Sequence, residues 1–550
     1  MHEPERLDKN HPRRFSSVLA GIGYPPEVCE RFEHVILPFE LMPHQLRGLS
    51  YALYYPRSGL FFEPRTGKTI VMQLAAIFYA HYGVGTVQIM PPGLFLQFSR
   101  DYDSIQGHGL TLKHLTEGPK RRDAVFDAWE KGLANKPNVI LLSQPIFKVH
   151  WASLYGLGYT HLHFDECHQG LQDEKNQISR AVRAFLDGPR SRLVLSTGTP
   201  IPTQVTGVYG TLKLLYPEAY RSRRAFEDRH VIHRPIMVPG SARSGFAPRQ
   251  IQVVSGYQKL EELSEVLYRQ AIHAAKRDVL KLDAPNIQLV PYELDSKHAG
   301  LYRRLIRERV LTIETSGQGQ GEELVIDART AQKLRQTALQ LVSCPETFDE
   351  TIKKNALFET LKDLLNSLDI ERNKVAIFAN YTRTVRHLAG LFSQYGPQTV
   401  YGPNGPAKNA QAVEVFRNDP ACRLLIANPV AGGVGFKLGD VCTTVVFAEP
   451  TASPGQFDQA LSRVMLMGQT EPVLCYILKA EGTIWPLAIE AMIGKVKDIN
   501  AVMRSRKTIF EALVGEIELT DDIRLATTES VPFFEDDWTE PVVINDAIAA

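Results

Sequence analysis

The stretch Phe61-Phe-Glu-Pro-Arg-Thr-Gly-Lys-Thr-Ile70 decides how the rest of this chain is read. An apolar segment precedes it, and Val71-Met-Gln-Leu-Ala-Ala-Ile-Phe78, a good helix, follows it. Gly67 lets the backbone close around an anion, Lys68 supplies a point charge, and Thr69 offers a hydroxyl at the positive helix end. These are the core parts of a phosphate-binding loop. The strict pattern of a glycine five positions ahead of Gly-Lys-Ser/Thr is not met, because Phe62 stands where that glycine belongs. Taken alone, Gly67-Lys68-Thr69 is equally compatible with a surface turn.

Downstream, the strand-like His161-Leu-His-Phe164 ends in Asp165-Glu166-Cys167-His168. An acid at the carboxyl end of a strand is placed to hold Mg²⁺, with Thr69 as a partner ligand, and the adjacent Glu166 to orient an attacking water. An ordinary acidic loop is the plainer alternative. The two segments support each other, since a phosphate loop and a metal-holding acid are halves of one site. Cys167 and His168 lack a second Cys/His pair at zinc spacing, so a polar relay role is expected for His168.

Short β-branched runs recur along the chain: Thr86-Val-Gln-Ile-Met90, Asn138-Val-Ile-Leu-Leu142, Tyr159 to Phe164 and Arg192-Leu-Val-Leu-Ser196. A second group follows in Lys374-Val-Ala-Ile-Phe378, Cys422-Arg-Leu-Leu-Ile-Ala427, Thr443-Thr-Val-Val-Phe447 and Pro472-Val-Leu-Cys-Tyr-Ile477. Segments of helical length separate them. This texture predicts two α/β domains with parallel sheets, joined by a helical middle.

Composition sets the outer limits. The 550 residues accommodate roughly two to four domains. With 62 Lys and Arg against 61 Asp and Glu, net charge gives no global pull on a polyanion, so any such partner must meet local basic surface. Cys29, Cys167, Cys344, Cys422, Cys442 and Cys475 form no CxxC pair, which excludes a disulfide scaffold and fits a reducing cytoplasm. No apolar run is long enough for a membrane span, and the first residues lack a secretory pattern. The protein therefore reads as soluble.

Two stretches are biased. Arg221, Arg223, Arg224, Arg229, Arg234, Arg243 and Arg249 crowd the segment 221–250, which reads either as a solvated basic face or as a grip on nucleic acid. From Gly515 the chain turns acidic; a solubilising tail and a nucleic-acid mimic are both open. Trp151, Trp485 and Trp538 have no stacking-platform spacing and read as core or interface residues.

Together these motifs resemble the Swi/Snf-related branch of the superfamily 2 helicases and translocases. Leu41-Met-Pro-His-Gln-Leu-Arg-Gly-Leu49 is similar to the branch's adenine-reading segment, Glu63 to Thr69 to its Walker A and Asp165 to His168 to its Walker B. Met90 to Phe98 resembles motif Ia, and Leu195-Ser-Thr-Gly-Thr-Pro-Ile201 motif III. Lys276 to Val279, Asp283, Tyr302, Leu334 to Gln336 and Cys344-Pro345 follow the branch's order. Ile377 to Tyr381 resembles motif IV, Asn428 to Leu438 motif V, and Gln459-Ala-Leu-Ser-Arg463 through Gln469 motif VI. The chain departs from the pattern at Arg65, a glycine in the family, and at Leu466, where the family has a second arginine.

The resemblance implies two tandem RecA-like domains with a helical middle and a short C-terminal extension. The expected boundaries are an N-terminal extension 1–35, domain one 36–220, a basic linker and helical middle 221–350, domain two 351–480, a helical extension 481–515 and an acidic tail 516–550. It implies a nucleic-acid-dependent ATPase that moves on DNA, duplex, single-stranded or branched, in replication, recombination or repair, in a bacterial or phage-infected cytoplasm. Replication or recombination proteins are candidate partners. An RNA helicase and a weakened nucleic-acid clamp are the alternatives.

Expected catalytic residues are Lys68, Asp165, Glu166 and Arg463. ATP would be held by Gln45, Arg65, Thr66, Gly67, Lys68, Thr69, Gly435 and Arg463, and Mg²⁺ by Thr69 and Asp165. Nucleic acid would meet Ser143, Thr199, Thr382, Gly433, Arg221, Arg223 and Arg224.

Overall fold

The computed structural model describes residues 13–63, 66–238, 249–275, 285–308, 310–314, 323–327, 331–349, 352, 354–429, 438–450, 453–465 and 472–503. The strand leading into the quoted loop is β1 (Arg57–Phe62). Leu60 and Phe62 join the core on one face and Phe61 the core on the other. A strand covered on both faces must be apolar throughout, which is why the run shows no alternation of polarity.

Around it assemble β2 (Gly85–Ile89), β3 (Leu112–His114), β4 (Val139–Leu142), β5 (Tyr159–Asp165) and β6 (Arg192–Ser196). A long antiparallel hairpin, β7 (Val231–Val238) and β8 (Arg249–Tyr257), stands outside the sheet before β9 (Ala271–Ala274) rejoins it. The order is β3-β4-β2-β5-β6-β1-β9, parallel throughout.

A second parallel sheet has the order β10-β17-β16-β13-β15-β14. Its strands are β10 (Asn286–Tyr292), β13 (Val375–Phe378), β14 (Gln398–Val400), β15 (Leu424–Ala427), β16 (Thr444–Phe447) and β17 (Leu474–Ala480), with a hairpin β11 (Val310–Glu314) and β12 (Glu323–Asp327) between. Here too both faces are buried: Ala376 and Phe378 pack on one side, Val375 and Ile377 on the other.

All eight strands read from the sequence occur, displaced by at most a few residues. The middle carries helices, as expected, at Arg223–His230, Leu260–Leu267, Ser296–Glu308 and Ala331–Ser343, and adds strands to them. It contains two hairpins, and its short strands β9 and β10 become edges of the first and second sheets. Ala271-Ile-His-Ala274 has almost no strand signal of its own; pairing with β1 imposes the conformation. The arginine-rich stretch is a short helix, Arg223–His230, followed by β7 and β8.

The helix Trp485–Met503 ties the two lobes together. Trp485 and Ala488 belong to the core of the second, whereas Ile499, Val502 and Met503 belong to that of the first. Tyr268 Oη donates to the Met503 carbonyl at 3.0 Å and fixes that end. All six cysteines are buried free thiols. Trp485 is fully buried and Trp151 packs against the first core, while Trp538 and the acidic tail lie outside the described residues. Among the described residues no helix is long and apolar enough to cross a membrane.

Candidate active site

Three neighbouring strands, β5, β6 and β1, present their carboxyl ends together. Asp165 is level with Ser196, and Ser196 with Leu60. Adjacent strands are about 4.8 Å apart, so the loops leaving them share one small volume.

The loop after β1 closes through Gly67, whose φ of 88° and ψ of 37° lie in the left-handed region. Only glycine adopts this without strain, and it launches the Lys68–His81 helix with no capping side chain, leaving the positive first turn open. A Cβ at position 67 would meet Gln45 Nε2 at 2.0 Å. Gln45 holds the loop from beneath: its Oε1 accepts from Met42 N–H at 2.9 Å and its Nε2 donates to the Thr66 carbonyl at 3.2 Å. His44 Nε2 meets the same carbonyl at 2.7 Å, and the Thr66 hydroxyl donates to the Glu63 carbonyl at 2.8 Å. Lys68 Nζ donates to the Phe62 carbonyl at 2.9 Å, and Thr69 is half-exposed.

At the end of β5, Asp165 is 7% exposed and accepts from Ser196 Oγ at 2.9 Å. Burial first, and the Glu166 charge second, push its carboxyl above the usual range, against the pull of Lys68 and Ser196. Glu166 has the reverse balance. Burial pushes it up, but the His168 hydrogen bond, the charges of Lys68 and His168 and the Thr197 hydrogen bond outweigh this and hold it low. It is left ionised at neutral pH. Its φ of 48° is left-handed, a strained geometry for a residue with a side chain, costing about 1–2 kcal/mol.

His168 joins this carboxylate to the loop after β6. Its Nδ1 lies 3.3 Å from Glu166 Oε2, 2.7 Å from Thr197 Oγ1 and 3.4 Å from Thr199 Oγ1. Thr199 N–H in turn donates to Thr197 Oγ1 at 3.0 Å. The ring therefore lies between the Glu166 carboxylate and the two threonine hydroxyls.

Behind Asp165 on the same face of β5, at the strand period of two, lie His163 and His161, both fully buried. Thr86 Oγ1 is 3.3 Å from His161 Nδ1, the two Nε2 atoms are 3.1 Å apart, and His163 Nδ1 is 3.1 Å from Gln88 Oε1. One proton placement satisfies every atom: the Thr86 hydroxyl donates to His161, His161 to His163, and His163 to Gln88, with both rings neutral. Burial lowers His163 to about 3 and drives His161 well down as well, aided by His163 and Arg192.

In the second lobe Arg463 caps the Pro454–Ser462 helix, is 8% exposed, and directs Nη2 to the Pro429 carbonyl at 3.4 Å. At the other end of that helix Ser453 Oγ and the Gly455 N–H both donate to the carbonyl of Pro202, at 2.9 and 3.2 Å. Pro202 follows Thr197 and Thr199 in the first lobe, so this contact joins the lobes beside the site.

The remaining expected residues fall as follows. Ser143 begins the Gln144–Gly156 helix at the carboxyl end of β4, and Thr382 begins the Thr382–Leu391 helix after β13; both are half-exposed. Thr199, expected to touch nucleic acid, is 4% exposed and turned toward His168, which places it inside the lobe rather than on its surface. Arg221 is exposed. Arg223 pairs with Glu227 at 2.8 Å and Arg224 with Asp228 at 3.8 Å, so these two acids offset part of the basic face. Arg65, Gly433, Gly435 and Leu466 lie outside the described residues.

Several residues here were not singled out on sequence. Ser196 and Thr197 lie inside the motif III stretch, so their signal was present. Glu449 had none. It is 2% exposed, accepts from Tyr381 N–H at 3.1 Å and Thr384 Oγ1 at 2.6 Å as well as from Asn380 N–H, and so fixes the loop that carries Thr382.

The donor set suits a magnesium nucleotide: an uncapped helix N-terminus, a lysine, a hydroxyl and a carboxylate converge where buried charge needs a counter-charge. Residues 117–341 match the family model described as SNF2-related domain. Human chromodomain-helicase-DNA-binding protein 1 is 24% identical over 81% of this chain and 26% of its own length. The human SWI/SNF-related matrix-associated actin-dependent regulator of chromatin subfamily A member 1 is 23% identical over 88% of this chain and 46% of its own. An uncharacterized ATP-dependent helicase of Mycoplasma pneumoniae is 20% identical over 82% of this chain and 41% of its own. The chain thus spans less than half the length of each of these three relatives. The Sulfolobus solfataricus SWI2/SNF2 ATPase core in complex with dsDNA has a TM-score of 0.36 and 16% identity over 88% of this chain and 98% of that one. Motif order and the matched domain agree: residues 117–341 match an SNF2-related domain, and the chain is similar to the Swi/Snf-related ATPases of superfamily 2.

Proposed function

We propose that this chain hydrolyses ATP between its two lobes and uses the cycle to move along DNA. The observation that carries the reading is the convergence of Lys68, Asp165 and the Glu166–His168–Thr197 network on three adjacent strand ends, with the Arg463 helix docked against the next loop. ATP would lie on the open first turn of the Lys68–His81 helix, with Lys68 leaving the Phe62 carbonyl for the phosphates. Mg²⁺, held by Thr69 and Asp165, would supply charge neutralisation on the phosphate oxygens.

Glu166, kept ionised by His168 and Lys68, accepts a hydrogen bond from the attacking water at its carboxylate and orients it. His168 holds that carboxylate against Thr197. Arg463 contributes positive charge from the second lobe when the cleft closes, a type of contribution worth about 10³–10⁵ in rate in related phosphoryl-transfer enzymes. Closure and opening then alternately tighten and relax the hold on a sugar-phosphate backbone.

Ser143 and Thr382 suit that backbone, because each opens a helix at the carboxyl edge of its sheet and is accessible. We assign the track as DNA and the setting as replication, recombination or repair. ATP hydrolysis measured without polymer, with duplex, single strand, fork and RNA tests this. Stimulation by DNA that is lost in Glu166→Gln is expected. Hydrolysis unaffected by Lys68→Ala would overturn the site, and stimulation by RNA alone would overturn the track.

A further inference from the structure

Between the site and Arg463 runs a continuous, stiff connection. Residues 196–202 are buried along their whole length, and Pro200 and Pro202 fix two of their φ angles. The Pro202 carbonyl has two lone pairs, and both are taken from the second lobe, by Ser453 Oγ at 2.9 Å and Gly455 N–H at 3.2 Å. Ser453 is 6% exposed. The helix it opens is anchored to its own sheet, because Phe457 stacks on Phe447 at 4.4 Å and Phe447 on Phe378 at 5.3 Å. A helix so anchored, rising about 1.5 Å per residue, moves as a rod, and its far end is Arg463. Contact is close at the near end: a Cβ at Gly455 would lie 3.2 Å from the Pro202 oxygen.

We infer that Ser453 is a positioning residue whose hydroxyl, with the Gly455 amide, latches onto the Pro202 carbonyl and so makes the place of Arg463 follow the Glu166–His168–Thr197 network. The bridging helix Trp485–Met503 holds the lobes at one place; this latch holds them at the site. The inference rests on the ATPase reading and adds to it the route by which one lobe informs the other.

Steady-state ATP hydrolysis at saturating duplex DNA tests it with Ser453→Ala, Ser453→Thr and Gly455→Ala. Loss of one net hydrogen bond in Ser453→Ala lowers kcat about five- to tenfold while the KM for ATP stays within about twofold. Ser453→Thr, which keeps the hydroxyl, recovers turnover, and Gly455→Ala, which crowds the Pro202 oxygen, lowers kcat without removing a donor. A purely structural loss would move KM and kcat together and would not be recovered by threonine. Wild-type kcat in both Ser453→Ala and Gly455→Ala overturns the inference and leaves the ATPase reading standing.

A wild-type protein with no Lys68-dependent hydrolysis overturns the ATPase reading and the inference with it. Hydrogen exchange reads the latch without turnover. Amides of the 453–462 segment exchange faster in Ser453→Ala than in wild type or Ser453→Thr, and equal exchange in all three overturns the contact.

Discussion

Replacing Gly67 with alanine tests how the phosphate loop is held. The substitution has two separable costs. A side chain at φ 88° strains the backbone by about 1–2 kcal/mol. The new Cβ also falls 2.0 Å from Gln45 Nε2, so Gln45 must leave the Thr66 carbonyl, and its bond to Met42 N–H is disturbed with it. At about 0.5–1.5 kcal/mol for each hydrogen bond, the second cost is about 1–3 kcal/mol. The sum, near 3 kcal/mol, lowers the population of the competent loop and raises the Kd for ATP roughly 100-fold.

The two parts are separated by Gln45→Ala. Alone it removes the same two bonds and weakens ATP binding about tenfold. In the double variant the collision is gone and only backbone strain is added, so the combined loss falls short of the product of the single losses by about tenfold. Titration with a fluorescent ATP analogue across the four proteins measures this. If the single effects multiply to within about twofold, the side chains do not meet in the nucleotide-binding conformation, and Gln45 acts on the base instead of under the loop.

Glu166→Gln keeps ATP binding and lowers hydrolysis about 10²–10⁴-fold; equal loss of binding in equilibrium titration would show the residue to be structural. The apoprotein loses thermal stability as pH falls. His161 and His163 fold neutral with lowered pKa values, so their stabilisation is complete above about pH 6.5 and declines from there toward about pH 3, the value for His163. Scanning calorimetry between pH 8 and 5 should show a falling Tm whose slope flattens in His163→Gln; the same slope in that variant would contradict the neutral chain of rings. Duplex affinity falls linearly on a log–log plot against salt, and reversing Arg221, Arg223 and Arg224 to glutamate shallows that slope by at most about three, less where Glu227 and Asp228 already compensate. An unchanged slope in fluorescence anisotropy would make the helix Arg223–His230 a solvated face.

What could be read from residues alone were the features that local chemistry fixes. An apolar run covered on both faces, a glycine at a left-handed turn, a lysine and threonine opening a helix, and an acid ending a strand are all expressed within a few positions of one another. Hence eight strands, the Lys68–His81 helix and the Asp165–His168 turn were legible, and so was the order of motifs that carries the family resemblance. The hairpin β7–β8 was obscured by its arginines, which marked composition and hid the strand pattern of Val231-Ile-His-Arg-Pro-Ile-Met-Val238.

Other features belong to no segment. Ala271–Ala274 is a strand because β1 offers an open edge, Glu449 holds the loop after β13 because β16 lies beside that strand, and Thr199 is interior because His168 reaches it. The Pro202 carbonyl has its two donors only because a helix from the other half of the chain arrives beside it. Sequence determined which chemical groups exist and which local turns present them, since backbone preference and side-chain type act over a few residues. Tertiary structure alone decided which distant groups share a hydrogen bond, since that depends on how two separately buried cores stack their sheets and helices against each other.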